Sequence, residues 1–142
     1  MRPFGEESEA RIARHRAMRK AKGFATIERY TDLPGLALPE RAGVALLECL
    51  CNLTANEIFD AEGAGPDLAE ARVLAGVRHL AGQCDTLILV TNEVGADGGG
   101  YDALVRRYIQ ALGRLNQRLA AACDQVAELV CGIPLWLKGG PQ

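Results

Sequence analysis

Two short apolar runs constrain this chain more than any other feature. Val44-Ala45-Leu46-Leu47-Glu48-Cys49-Leu50 is continuous but for one carboxylate near its end, and Thr86-Leu87-Ile88-Leu89-Val90-Thr91-Asn92 closes on polar residues. Neither alternates in the manner of a half-exposed strand. Continuous runs of this kind read as buried parallel strands, because a sheet covered on both faces hides every side chain. Parallel strands need long crossovers, and helical patterns supply them here.

The segment from Glu6 to Lys22 reads as a helix, with acidic residues in its first turn and basic residues in its last, which suits the helix dipole. Gly23 ends it. Phe24 to Tyr30 alternates enough for a strand or an extended edge, and Pro34 to Glu40 is a turn-rich connector. A short helix is predicted from about Leu53 to Phe59, followed by a break at Gly63-Ala64-Gly65-Pro66 and a helix from Asp67 to Gly82. Gly98 to Gly100 makes a turn. Tyr101 to Cys123 is the longest predicted helix, with Leu104, Tyr108, Leu112, Leu115 and Leu119 at three- and four-residue spacing. Val126 to Cys131 reads as a third strand, Gly132 as a turn, and Ile133 to Leu137 as a short final strand. This succession predicts an α/β fold, a three-layer sandwich around a mostly parallel sheet.

A chain of 142 residues fits one domain. Its 16 basic and 18 acidic residues leave a net charge of -2, which argues against a general nucleic-acid binder. No apolar run approaches the roughly eighteen residues of a membrane span. The five cysteines, Cys49, Cys51, Cys84, Cys123 and Cys131, are odd in number and contain no CxxC pair. They read as buried free thiols of a reducing cytoplasm, with Cys49, Cys51 and Cys131 in strand-like runs. Doubly wound domains usually begin with a strand, whereas Met1 to Gly5 lead straight into a helix. The element order is therefore different or the beginning is absent.

Three groups of residues could carry chemistry. Arg11 to Lys22 hold six of the 16 basic residues, Arg11, Arg14, Arg16, Arg19, Lys20 and Lys22, around His15. Such cations keep an imidazole neutral and would neutralise phosphate oxygens; the same pattern also suits a solvated basic face. Glu48, Asn92 and Glu93 lie at the ends of the two apolar runs. Ligands of open parallel sheets bind outside the carboxyl ends of the strands, so these three are expected in one crevice. A carboxylate there orients magnesium, accepts a proton, or merely caps a helix. Arg114, Asn116 and Gln117 interrupt the long helical stripe, either to bond a neighbouring loop or to face the site. His79 reads as a surface residue, and Trp136 as core or interface filler. No cluster has metal-ligand spacing, so no structural metal is expected. The Gly95 to Gly100 stretch matches neither GxxxxGK(S/T) nor GxGxxG.

Several segments together resemble one family. They are Arg11-Ile12-Ala13-Arg14-His15-Arg16, Leu46-Leu47-Glu48-Cys49-Leu50, Leu89-Val90-Thr91-Asn92-Glu93-Val94-Gly95, Gly113-Arg114-Leu115-Asn116-Gln117-Arg118-Leu119-Ala120, and the tail from Val130 through Gly132-Ile133-Pro134 to Lys138. The chain resembles the bifunctional adenosylcobinamide kinases and adenosylcobinamide-phosphate guanylyltransferases of cobalamin synthesis. That resemblance implies a P-loop NTPase-like (RecA-like) fold and an oligomer. It also implies phosphorylation of adenosylcobinamide, with ATP, GTP and magnesium in use, and GMP transfer from GTP through a guanylylated histidine. His15 inherits the nucleophile's role, and Arg11, Arg14, Arg16, Arg19, Asn92 and Glu93 become nucleotide or phosphate contacts. Glu48 becomes a contact for magnesium or the guanine nucleotide.

The family pattern opens with a strand and a GGxxSGKS loop that have no counterpart here. The expectation is thus a single, amino-terminally truncated domain over residues 1–142, without kinase or transferase activity as given. The rival readings are a non-catalytic nucleotide- or corrinoid-binding module of the same fold, and an NTP-binding protein of other purpose. A cytoplasmic protein without nucleic-acid partners or a membrane span is expected in each case.

Overall fold

The structure, a computed structural model, describes residues 13, 14, 17, 22–95 and 98–140. They fall into two compact units, Met1–Asn92 and Glu93–Gln142.

In the first unit, strand β1 (Ala42–Glu48) runs parallel to β2 (Cys84–Val90), in a register that pairs Ala42 with Cys84 and Glu48 with Val90. Helices α1 (Leu50–Phe59) and α2 (Ala69–Ala81) make the crossover. Glu70 in the first turn of α2 and Arg78 and His79 in its last complement the dipole. Arg41 fixes the start of the sheet: its Nε donates to Asp85 Oδ1 at 2.7 Å, and its Nη atoms donate to the carbonyls of Gly82 (3.0 Å) and Cys84 (2.9 Å). The core lies among the helices. Leu50, Leu53 and Ile58 of α1 are buried, as are Ala69, Val73, Val77 and Leu80 of α2, together with Leu33 of a single 3-10 turn, Leu33–Gly35.

The strands themselves are less buried than the apolar runs predict. Val44, Leu46, Ile88 and Val90, which share one face of the sheet, are exposed, while Ala45, Leu47, Leu87 and Leu89 opposite are half-buried. Covering on one face is enough to give this pattern.

In the second unit, α3 (Ala103–Ala122) opens at Asp102, whose side chain accepts from the amides of Leu104 (2.9 Å) and Val105 (2.8 Å). It buries Ala111, Leu112, Leu115 and Leu119. Its last carbonyls are met by Lys138 Nζ, at 2.9 Å from Ala121 O and 2.6 Å from Cys123 O. Strands β3 (Val126–Val130) and β4 (Ile133–Lys138) form an antiparallel hairpin. The expected α/β class with a parallel sheet is present, and among the described residues the strands pair as two two-stranded sheets, one parallel and one antiparallel. The loop sets the antiparallel pairing. Cys131 (φ 50°) and Gly132 (φ 81°) are both left-handed, the geometry of a two-residue hairpin turn that matches strand twist.

Other expectations shift as well. Phe24 to Tyr30 forms no strand, and Cys49 and Cys131 lie in connections, with Cys51 in α1. None of the five cysteines forms a disulfide, only Cys51 and Cys84 are buried, and Cys131 is exposed. Trp136 is 44% exposed. Ala13, Arg14 and Ala17 are helical and Lys22 is in a turn; the remainder of the Glu6 to Lys22 helix lies outside the described residues.

Candidate functional site

The carboxyl edge of the parallel sheet is built by the ends of β1 and β2. Glu48 is the last residue of β1, in register with Val90, the last residue of β2, and Asn92 lies two residues beyond it. Both are exposed. Glu93 is also exposed but opens the second unit, where it leads to Gly95. Gly95 has φ 92°, and a Cβ there would lie 2.8 Å from Ile109 Cγ2, so both backbone and packing exclude a side chain. Arg14 is exposed on its helical turn. Arg11, His15, Arg16 and Arg19 lie outside the described residues.

Directly after Glu48 the chain passes through Cys49 into α1. The Sγ atoms of Cys49 and Cys51 are 3.0 Å apart. Hydrogen bonding from the Cys51 thiol lowers the Cys49 pKa to about 6, against burial and the Glu48 carboxylate, which raise it, and with a smaller lowering from the Asn52 backbone. The same hydrogen bond pushes the Cys51 thiol up, because Cys51 keeps the shared proton.

A second polar centre, absent from the sequence reading, lies on α1. Glu57 is 1% exposed, and its Oε1 accepts from the Asp32 amide at 2.7 Å while Oε2 accepts from the Ala64 amide at 2.9 Å. Arg72 Nη1 stands 4.0 Å from Oε2. Asn56 Nδ2 donates to Tyr30 O at 2.9 Å. Arg29 and Asp32 pair beside this centre, and with Tyr30, Glu62 and Arg72 they border an open hollow of about 570 Å³. The one legible signal of this centre is the Asn56-Glu57 pair in the mostly apolar α1. His79 is exposed and contacts Leu36 O through Nε2 at 2.9 Å. Among the described residues no group of three or more His, Cys, Asp or Glu side chains is placed to hold a metal ion. No helix among them is long and apolar enough to cross a membrane.

Comparison with known proteins shows the family of the chain. Residues 1–137 match the family described as cobinamide kinase / cobinamide phosphate guanyltransferase. The chain belongs to this family. It is 34% identical to the bifunctional adenosylcobalamin biosynthesis protein CobU of Escherichia coli, over 94% of this chain and 80% of the relative's length. It is also 34% identical to CobP of Pseudomonas aeruginosa, another bifunctional adenosylcobalamin biosynthesis protein, over 95% of this chain and 77% of that protein. Cobinamide kinase / cobinamide phosphate guanyltransferase relatives are thus similar across nearly the whole chain, through both units. The segments Leu89 to Gly95 and Gly113 to Ala120 fall inside the match, as does Arg11 to Arg16.

Proposed function

We propose that the protein phosphorylates adenosylcobinamide with a nucleoside triphosphate and then transfers GMP from GTP to the new phosphate through a guanylylated His15. The family match over residues 1–137 carries this reading, supported by relatives whose names give a bifunctional role in adenosylcobalamin biosynthesis. In the transfer, the His15 imidazole attacks the α-phosphorus of GTP, forming a P–N bond as pyrophosphate leaves. The phosphate of the phosphorylated corrinoid then displaces the imidazole. Splitting one transfer into two in this way lowers each barrier. Arg11, Arg14, Arg16 and Arg19 balance charge on the phosphate oxygens.

Magnesium fits this reading through Glu48. An ion bound together with substrate phosphates needs only one or two protein carboxylates, and Glu48 is exposed at the strand tip. The ion supplies charge neutralisation on the phosphates. Asn92 and Glu93 contact the nucleotide. On this reading the fold is of the P-loop NTPase type, and the protein works in the cytoplasm as a homo-oligomer.

The test is the intact mass of the full-length protein after incubation with GTP and magnesium. An acid-labile GMP adduct is expected in the wild type and none in His15→Ala, which still phosphorylates adenosylcobinamide. An adduct that persists in the alanine variant refutes the assignment.

A further inference from the structure

Cys49 and Cys51 have no part in the chemistry above, and they stand in an unusual relation. One residue apart in sequence, they turn their sulfurs to within 3.0 Å of each other where β1 passes into α1. Cys49 takes the residue position just before the first turn of the ten-residue α1, with extended backbone (φ -132°, ψ 156°), so its sulfur belongs to the positive end of that helix. Cys51 lies within the first turn and is 6% exposed, whereas Cys49 is half-buried. The pair is therefore asymmetric. The outer sulfur meets solvent, and the inner one backs it.

We propose that Cys49 and Cys51 form a dithiol that reacts with hydroperoxides, Cys49 attacking and Cys51 resolving. The inference stands apart from the transferase reading. In the first step the Cys49 thiolate attacks one oxygen of the hydroperoxide. An S–O bond forms, the O–O bond breaks, and the departing oxygen takes up a proton, leaving Cys49 as a sulfenic acid. In the second, the Cys51 sulfur attacks the Cys49 sulfur. The S–S bond forms and the S–O bond breaks. The departing oxygen leaves as water with the proton that Cys51 gives up. Two thiols are oxidised and one hydroperoxide is reduced to an alcohol, or to water, with one further water released. A low-molecular-weight dithiol reverses the change by exchange.

The geometry sets this division of labour. Cys49 is half-buried and is the sulfur a hydroperoxide can reach, whereas Cys51, 6% exposed, stands behind it in contact range. Closing the pair from 3.0 Å to a disulfide at about 2.05 Å takes about an ångström of movement.

Tryptic cleavage isolates the pair, since the peptide 42–72 contains Cys49 and Cys51 and no other cysteine. Reduced protein is treated with one equivalent of hydrogen peroxide, denatured in N-ethylmaleimide and digested. The expected result is a peptide lighter by two hydrogens and carrying no maleimide, while the peptide with Cys123 and Cys131 is fully alkylated. A doubly alkylated 42–72 peptide overturns the proposal. Cys51→Ala is expected to halt oxidation at a dimedone-trappable Cys49 sulfenic acid, and Cys51→Ser is expected to form no disulfide in that peptide. A Cys51→Ala variant in which dimedone labels no Cys49 after peroxide overturns the division of labour.

Discussion

Glu57 and Glu48 belong to the same unit and live in opposite surroundings. Glu57 is 1% exposed, with two backbone amides on its oxygens and Arg72 beside it. Glu48 stands in the open at the tip of β1. A buried carboxylate is tolerated only when its lone pairs are filled, and once filled it is committed to holding the chain around it. Glu57 holds the segments around Asp32 and Ala64 against α1. An exposed carboxylate is already solvated, so removing it disturbs little of the fold and leaves it open to a ligand. The contrast separates architecture from chemistry within a span of ten residues.

The strongest way to break this comparison is Glu57→Ala. The Asp32 and Ala64 amides lose their acceptor, and Arg72 loses its counter-ion. A loss of roughly 2–5 kcal/mol is expected, as for one partner removed from a buried charged network. Urea unfolding measures the sum, and hydrogen exchange at the Asp32 and Ala64 amides locates it. A loss below about 1 kcal/mol would show that the bonds to Glu57 add little to stability.

The apolar side of the same region sharpens the point. Leu33, next to Asp32, lies against Gly76 of α2 so closely that a Cβ on Gly76 would come 2.6 Å from the Leu33 Cβ. Gly76→Ala gains helix propensity worth about 1 kcal/mol, but overpacking costs roughly 1–3 kcal/mol. Because the clash is with a Cβ rather than a flexible chain end, the cost wins and a net loss of up to about 2 kcal/mol is expected. A double-mutant cycle with Leu33→Gly checks it, since Gly76→Ala should be far better tolerated once the Leu33 Cβ is removed. Additive effects would contradict the proposed contact.

How much of this was legible in the sequence depended on the range of the interactions. The two parallel strands are legible from their continuous apolar runs, and α2 and α3 from local helical patterns. The start of α1 was misplaced, at about Leu53 rather than Leu50, because Leu50 and Cys51 prolong the apolar run past the point where the backbone turns. The β3–β4 hairpin was read as strands of a larger parallel sheet, although the two-residue Cys131-Gly132 connection was the available sign of an antiparallel turn. Glu57 was passed over because its partners are the backbone amides of Asp32 and Ala64, which leave no trace in side-chain pattern. At the candidate site, the position of Glu48 and Asn92 at the strand ends is legible because strand ends follow from local pattern. Cys49 and Cys51 were read as inert thiols, since their contact depends on the turn between β1 and α1.

The smallest effect on stability is expected from Glu48→Gln, and it is the most discriminating test of the comparison. The side chain is exposed, so the exchange of a carboxylate oxygen for an amide strands no buried donor and opens no cavity. Unfolding should shift by no more than about 0.5 kcal/mol. Under the proposed function, the same change removes the charge that orients magnesium and its phosphates. Nucleotide-dependent turnover should then fall by roughly tenfold to a hundredfold, the scale seen when groups supporting a metal site are lost. Raising the magnesium concentration should recover part of the loss if Glu48 acts through the ion, and none of it if Glu48 contacts the guanine base instead. A variant that loses stability as Glu57→Ala does would place Glu48 with the architecture. One that keeps both stability and turnover would remove it from the site.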